Sequence, residues 1–452
     1  MINKKLNSFD NVTEWINLLI QERISEKINV SLNYKNKTWL VSYKNHNQFI
    51  EMKFFEKLYI TGYQEDLPCG FFCLENKVFE NLHETLPAPG FNSKSTKSIF
   101  TENSLCKINY DIFGFSFWML NRLEELYIPN NFLDKHGRFN FKYSHAYKYD
   151  YLSRPLVDEW IQFLRLLLKS VYPKIKLKKS KFRILPTHDI DNPRKFSMIS
   201  KLRVLKNKIK FFLESPNEIF NLSNKQKSID PYDSFDWILD ISDKYNLKNE
   251  FYFMTAQTNW RYDTGYKITN STLLTLLKKI NDRGHLIGLH PSYDSDSIKA
   301  NIFDQANSLN KIFKIIGVKQ NKIGSRMHYL KFSNPKTSYE LINAGFNYDS
   351  SLGYANFPGF RCGTCKEYNL FDPIKNQILD LRERPLILME SSVLLNKKIG
   401  DNVKIYYDKY IKNLKEKCSE VEGEFLFLWH NCKLETKANK ELYELLLQPL
   451  NN

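Results

Sequence analysis

The chain of 452 residues carries 66 Lys and Arg against 50 Asp and Glu, a formal charge of +16. A hydrophobic share of 42%, with 33 Phe, 26 Tyr and 7 Trp, excludes a disordered chain, and no collagen-like or coiled-coil bias is present. At roughly 100 to 250 residues per domain, the length predicts two domains.

The apolar run Trp15-Ile-Asn-Leu-Leu-Ile20 is broken by Asn17, so no secretory signal peptide is expected. No uncharged apolar run reaches the roughly 18 residues of a spanning helix. The expected location is the cytoplasm, where 7 scattered cysteines read as reduced thiols. In the first half, aromatic stretches at 39–43 and 57–61 read as strands of a small α+β domain. The Pro/Gly/Ser-rich stretch Pro87 to Thr96 reads as a surface loop. Apolar positions 156, 157, 160, 161, 163, 164, 167 and 168 predict a helix over 154–169. The basic stretch 172–181 is the candidate linker, giving an accessory domain over 1–178 of unassigned role and a second domain over 179–452.

From Phe182 onward, apolar runs alternate with helical patterns, the mark of parallel strands joined by crossover helices. Strands are predicted over 183–187, 250–255, 286–290, 322–326, 346–350, 386–391 and 424–430. Seven such strands predict an α/β fold, a distorted (β/α) barrel with its chemistry at the carboxyl ends of the strands. His188, His290, His328 and His430 all fall at or just beyond a predicted strand end. Scattered core histidines would show no such preference.

In extended backbone, Asp189 and Asp191 of Leu185-Pro-Thr-His-Asp-Ile-Asp-Asn-Pro193 project to one side. Such a pair suits one carboxylate to a divalent metal and the other to a base, although Asp-Asn-Pro also reads as an Asx turn. In His290-Pro-Ser-Tyr-Asp294 a helical turn after the strand would bring His290 and Asp294 together as metal ligands. Arg326 would keep a catalytic carboxylate ionised, and His430 would serve as general acid.

Together these residues resemble the polysaccharide deacetylase family, carbohydrate esterase family 4 with its NodB-homology domain. Thr187-His-Asp-Ile-Asp191 is similar to the family's first motif, Gly284-His-Leu-Ile-Gly-Leu-His-Pro-Ser-Tyr-Asp294 to the second, and Arg326 to the Arg of the third. Gly345-Phe-Asn-Tyr-Asp-Ser-Ser351 resembles the fourth motif's segment, and His430 the His of the fifth. Upstream, Asp111 to Glu125, Asp134-Lys-His-Gly-Arg-Phe139 and Leu152-Ser-Arg-Pro155 resemble a bacterial surface-polysaccharide subgroup. The resemblance implies removal of an N- or O-acetyl group from a sugar with one divalent metal, Zn²⁺ first. It makes Asp189 the base, Asp191, His290 and Asp294 the metal ligands, Arg326 the contact of the base, and His430 the acid. His188, His328 and Arg361 are further candidates for contact with metal or substrate.

A basic segment, Lys201 to Lys210, suits an anionic carrier such as a nucleotide- or lipid-linked sugar at the inner membrane face, or simply solvent. No nucleic-acid motif accompanies the charge, so nucleic acid is not an expected partner. Cys362-Gly-Thr-Cys365 and Cys69-Gly-Phe-Phe-Cys73 read as two unrelated thiol pairs. Two other classes share part of the pattern: a non-catalytic glycan- or partner-binding module on the same fold, and a glycosidase on a related barrel.

Overall fold

The computed structural model describes residues 9–44, 46, 48–74, 82, 85–92, 94–95, 99–102, 105–198, 204–206, 209, 213, 230–295, 301–394 and 402–450. Most of the basic segment 201–210 therefore lies outside the described residues.

In the first half, alternation of buried and exposed positions builds β1 (Ile28–Asn33), β2 (Thr38–Tyr43) and β3 (Phe49–Lys53). Behind them come β4 (Cys69–Cys73), β5 (Thr85–Pro89), β6 (Lys94–Ser95), β7 (Ile99–Glu102) and β8 (Leu105–Ile108). They form a five-stranded sheet in the order β1-β2-β3-β8-β7 and a three-stranded sheet in the order β5-β4-β6. Two expectations change here. The 57–61 stretch is not a strand, because Glu56–Tyr59 closes a 3₁₀ turn that buries Leu58 and Tyr59. The expected loop at 87–96 instead begins with β5, whose prolines are tolerated because β5 is an edge strand paired only with β4.

The helix Ile112–Leu120 is buried on every side. Its N-cap Asp111 accepts from the backbone N–H of Gly114 at 2.7 Å and of Phe55 at 2.8 Å. The helix Leu156–Val171 follows the predicted apolar spacing and buries Trp160, whose indole N–H donates to the carbonyl of Pro87 at 2.9 Å. A fully buried apolar side chain of this kind contributes roughly 1.5–3 kcal/mol or more. The stretch 172–182 has no regular secondary structure, but Tyr172 and Ile175 within it are buried.

The second half is built on one nine-stranded sheet in the order β14-β15-β13-β12-β11-β10-β9-β17-β16. Its strands are β9 (Arg183–Ile190), β10 (Glu250–Phe253), β11 (Leu286–Leu289), β12 (Gly324–Ser325), β13 (Tyr348–Asp349), β14 (Tyr368–Asp372), β15 (Gln377–Glu383), β16 (Leu388–Met389) and β17 (Glu424–Leu428). All seven predicted strands are present, and every pairing except that between β14 and β15 is parallel. Burial on both faces explains the continuous apolar reading of β10 and β17. The count is corrected from seven strands to nine, in a curled sheet with edges at β14 and β16 rather than a closed barrel. The sequence reading missed β14 and β15, a pair packed against the first half. There Phe117 meets Phe371 edge-on at 5.1 Å, Tyr368 donates to the carbonyl of Leu120 at 2.7 Å, and Trp15 donates to that of Asn369 at 2.7 Å. Residues of both halves thus share one apolar core.

Candidate active site

Because β9 to β13, β16 and β17 are parallel, their carboxyl ends share one edge, where Asp191, His290, Arg326 and His430 follow β9, β11, β12 and β17. A cleft of about 720 Å³ opens there and is lined by Asp189, Asp191, His290, His328 and His430. Strand alternation puts Asp189 and Asp191 on the cleft side, as expected, and Thr264 Oγ1 donates to the carbonyl of Asp191.

Three imidazoles converge on Asp191. His290 Nε2 lies 3.2 Å from Oδ1, while His328 Nε2 at 3.6 Å and His430 Nε2 at 3.5 Å approach Oδ2. Each ring is fixed through its other nitrogen. His290 Nδ1 donates to the carbonyl of Arg326 at 2.5 Å, His328 Nδ1 meets Asp263 Oδ1 at 2.9 Å, and His430 Nδ1 meets Glu390 Oε1 at 2.8 Å. Anchoring Nδ1 in this way orients Nε2 for a metal or a proton. Asp263 is itself held by the backbone N–H groups of Thr258, Asn259 and Tyr293.

These contacts bias the charge states, and an ion held by His328 would require its neutral form. Burial opposes charge on His328, yet Asp191 and Asp263 push it up to about 9. Burial likewise opposes charge on His430, but Glu390 and then Asp191 and Asp189 push it up to about 10. Burial favours neutral Asp191, and the surrounding histidines, His328 foremost, outweigh it and hold the carboxyl well below the usual range. Asp263 is brought down to about 2 against its burial, chiefly by the hydrogen bond to His328.

Asp189 stands beside this cluster, its Oδ1 at 3.6 Å from Arg326 Nη1 and its Oδ2 at 3.8 Å from His290 Nε2. Arg326 is fully buried, stacks over the Tyr252 ring at 4.9 Å, and donates through Nη2 to Thr187 Oγ1 at 3.1 Å and Ser350 Oγ at 2.9 Å. Asp189 Oδ1, Asp191 Oδ1 and His290 Nε2 are buried without a well-formed hydrogen bond, the last two facing each other at 3.2 Å and Asp189 Oδ1 lying 3.6 Å from Arg326 Nη1. Buried polar groups of this kind are costly to leave unpaired, so their convergence fits the binding of a cation. Donor atoms of Asp191, His290 and His328 lie within 4.8 Å of one another, and two imidazoles with a carboxylate suit Zn²⁺ or a similar divalent ion.

Three expected residues lie elsewhere. Asp294 is not in the cluster, because residues 291–295 form a turn instead of the helix that would have brought it under His290. Its carboxylate accepts from Asn259 Nδ2 at 2.8 Å and lies 3.8 Å from Lys331 Nζ, and His328 takes its place beside His290. His188 sits on the opposite face of β9 from Asp189, where it meets the carbonyl of Trp429 at 2.7 Å and the Tyr443 hydroxyl at 3.1 Å. Burial there pushes it down to about 3, so it is a neutral core residue. Arg361 is buried away from the cleft, paired to Glu125 by Nη2 at 2.6 Å and Nε at 3.1 Å, with Nη1 on the carbonyl of Gly353 at 3.0 Å. All seven cysteines are free, and Cys362 and Cys365 are buried outside the cleft.

Sequence reading missed Glu390 and Asp263. Glu390 lies inside the predicted strand 386–391, so the strand-end rule that selected the histidines applied to it as well. Asp263 follows β10 in an irregular stretch with no pattern to mark it.

Comparisons with known proteins place this geometry in context. Residues 9–173 match a family of unknown function, DUF7033. None of the curated proteins matches the chain. Among solved structures, a protein assigned as a polysaccharide deacetylase from Mycobacterium smegmatis is similar at 14% identity over 60% of this chain and 83% of its own, with a TM-score of 0.37. A polysaccharide deacetylase from Bacillus cereus is similar at 12% identity over 60% of this chain and 86% of its own, with a TM-score of 0.31. A Puue allantoinase is similar at 9% identity over 59% of this chain and 82% of its own, with a TM-score of 0.35.

Proposed function

We propose that the chain is a metal-dependent hydrolase that removes an N- or O-acetyl group from a sugar, in the making or modification of a bacterial surface polysaccharide. The observation that carries the hydrolase is the convergence of three Nδ1-anchored imidazoles on Asp191 beside a buried, hydrogen-bond-deficient Asp189. The acetylated sugar comes from the ordered set of motifs in the sequence.

Asp191, His290 and His328 would hold the ion, which supplies Lewis acidity toward a carbonyl and toward water. Asp189 is the base: its Oδ1, 3.6 Å from Arg326 Nη1 and buried without a hydrogen bond, is placed to accept a proton from water. His430, charged through Glu390, donates from Nε2 to the departing amine or alcohol. Arg326 keeps the base in place through Thr187 and Ser350. The proposed ordering of roles, Asp189 as base and Asp191 as ligand, is supported by the three imidazoles that surround Asp191.

The test is acetate release from N-acetylated and O-acetylated oligosaccharides by wild type and Asp189→Asn at equal metal content. A base at this position predicts a loss of roughly 10²–10⁴-fold in turnover with the metal retained. Equal release by the two proteins, or release of sugar without acetate, would overturn the reading. A nucleotide- or lipid-linked substrate and contact of 201–210 with an anionic membrane belong to the same proposal. Absence of pelleting with phosphatidylglycerol vesicles at low salt would remove the membrane part.

A further inference from the structure

Residues 134–138 belong to the first half of the chain, yet Asp134, Lys135, His136 and Arg138 line the same cleft as the catalytic cluster. The turn is tightly built. Asp134 Oδ1 accepts from the backbone N–H of His136 at 2.9 Å and of Arg138 at 3.0 Å, and its Oδ2 pairs with Arg138 Nη2 at 2.6 Å. Gly137 turns the corner at φ 75°, a conformation favourable to glycine.

Arg138 then crosses to the second half, donating from Nη1 to the carbonyl of Tyr329 at 2.7 Å. Tyr329 and Leu330 directly follow His328 and hold φ of 60° and 56°. Left-handed backbone is unfavourable at bulky residues and persists only when its surroundings enforce it. The first half is one of those surroundings, so this turn is joined to the strained segment beside a proposed ligand.

On this anchor stands an aromatic cluster. The His136 ring lies 4.5 Å from that of Tyr329 and 5.4 Å from that of Tyr262, and the two tyrosines are 5.4 Å apart. His136 Nδ1 is engaged by the Tyr293 hydroxyl at 2.9 Å, which fixes the ring plane. His136, Tyr262 and Tyr329 all line the cleft whose floor carries the acidic and imidazole groups. Rigid aromatic faces beside a few placed polar groups are what a ring with one apolar face and a hydroxylated rim requires.

We infer that the 134–138 turn is a wall of the substrate site, and that His136, Tyr262 and Tyr329, tilted or edge-on to one another, form an aromatic corner that is the platform against which a pyranose ring of the acetylated sugar packs. The inference rests on the proposed deacetylase reading for its substrate class, and it gives the first half a direct part in substrate binding.

The test is titration calorimetry of the full, metal-loaded chain with tetra-N-acetylchitotetraose and with an N-acetylgalactosamine oligosaccharide, alongside metal content and acetate release. His136→Ala and Tyr262→Ala are each expected to weaken binding about tenfold, the scale of one lost stacking contact, with metal content unchanged. His136→Phe, which keeps a ring, is expected to stay within about threefold of wild type. Unchanged affinity in both alanine variants, or no binding of either sugar by wild type, would overturn the platform. Loss of metal in His136→Ala would also overturn it, making the turn a scaffold of the ligands alone. If the platform variants lose binding while wild type releases no acetate, the deacetylase reading fails and the platform stands.

Discussion

The cleft and the junction between the halves both bury charge, but they treat it differently. At the junction, every guanidinium nitrogen of Arg361 is paired, to Glu125 or to the carbonyl of Gly353. Asp158 is likewise saturated by Arg23 at 2.5 Å, Thr364 Oγ1 at 2.8 Å and the backbone N–H of Cys365 at 2.9 Å. In the cleft, Asp189 Oδ1, Asp191 Oδ1 and His290 Nε2 are buried with no hydrogen bond, and Arg326 Nη1 and Nε are left the same way. The junction leaves Arg23 Nε without a hydrogen bond as well, but the cleft gathers five such atoms on neighbouring side chains, a concentration that fits a group bound there. That contrast separates Arg361, whose nitrogens are all paired, from Arg326, which leaves two nitrogens beside the proposed base, although both are buried arginines beside carboxylates.

The largest effect is expected from breaking the junction. Glu125→Ala strands the buried charge of Arg361 and leaves Arg122 with Glu124 alone, which should cost about 3–5 kcal/mol. Denaturant unfolding would read it, and a shift below about 1 kcal/mol would place that network among weak, solvent-screened pairs. In the cleft the same kind of substitution should act on metal binding. Asp263→Ala removes the anchor of His328 Nδ1 and should weaken metal affinity by about 10–100-fold, measured by competition with a chelator. Unchanged affinity would show that His328 is not a ligand.

A third prediction concerns acid. His188, pushed down to about 3, and His145, pushed down to about 4, are neutral in the folded chain because burial disfavours their charge. The unfolded chain takes up protons near 6.5, so these groups favour folding above that pH, and their contribution is lost as pH falls through 6.5 toward 3. His188→Phe should flatten the acid limb of the stability profile by up to about 1.4 kcal/mol per pH unit. An unaltered limb in equilibrium unfolding would contradict the assignment of His188 to the core. The smallest effect is expected for Asp294→Ala, whose surface contacts with Asn259 and Lys331 should leave stability within about 0.5 kcal/mol of wild type.

Much of the site was legible because it follows one rule. Parallel strands ending at a common edge present the residues just beyond them, and that rule selected Asp191, His290, Arg326 and His430. Period-two alternation placed Asp189 with Asp191, and the same alternation excludes His188, which a twist of the strand end would have been needed to rescue. Asp294 was misplaced because its case depended on a local helix that does not form after Pro291. Asp263 was beyond reach, and the 134–139 segment was singled out without its place at the cleft, because both meet the site only through tertiary packing. The strands β14 and β15 were missed for a related reason: their partner surface is the first half, over two hundred residues upstream, and no local periodicity records it.

The central claim is that Asp191, His290 and His328 form a metal site and that Asp294 does not. Elemental analysis of wild type, His328→Ala and Asp294→Ala, each reconstituted with Zn²⁺ and desalted, tests it most directly. The account predicts about one metal per chain in wild type and Asp294→Ala and almost none in His328→Ala. Metal retained by His328→Ala and lost by Asp294→Ala would contradict it.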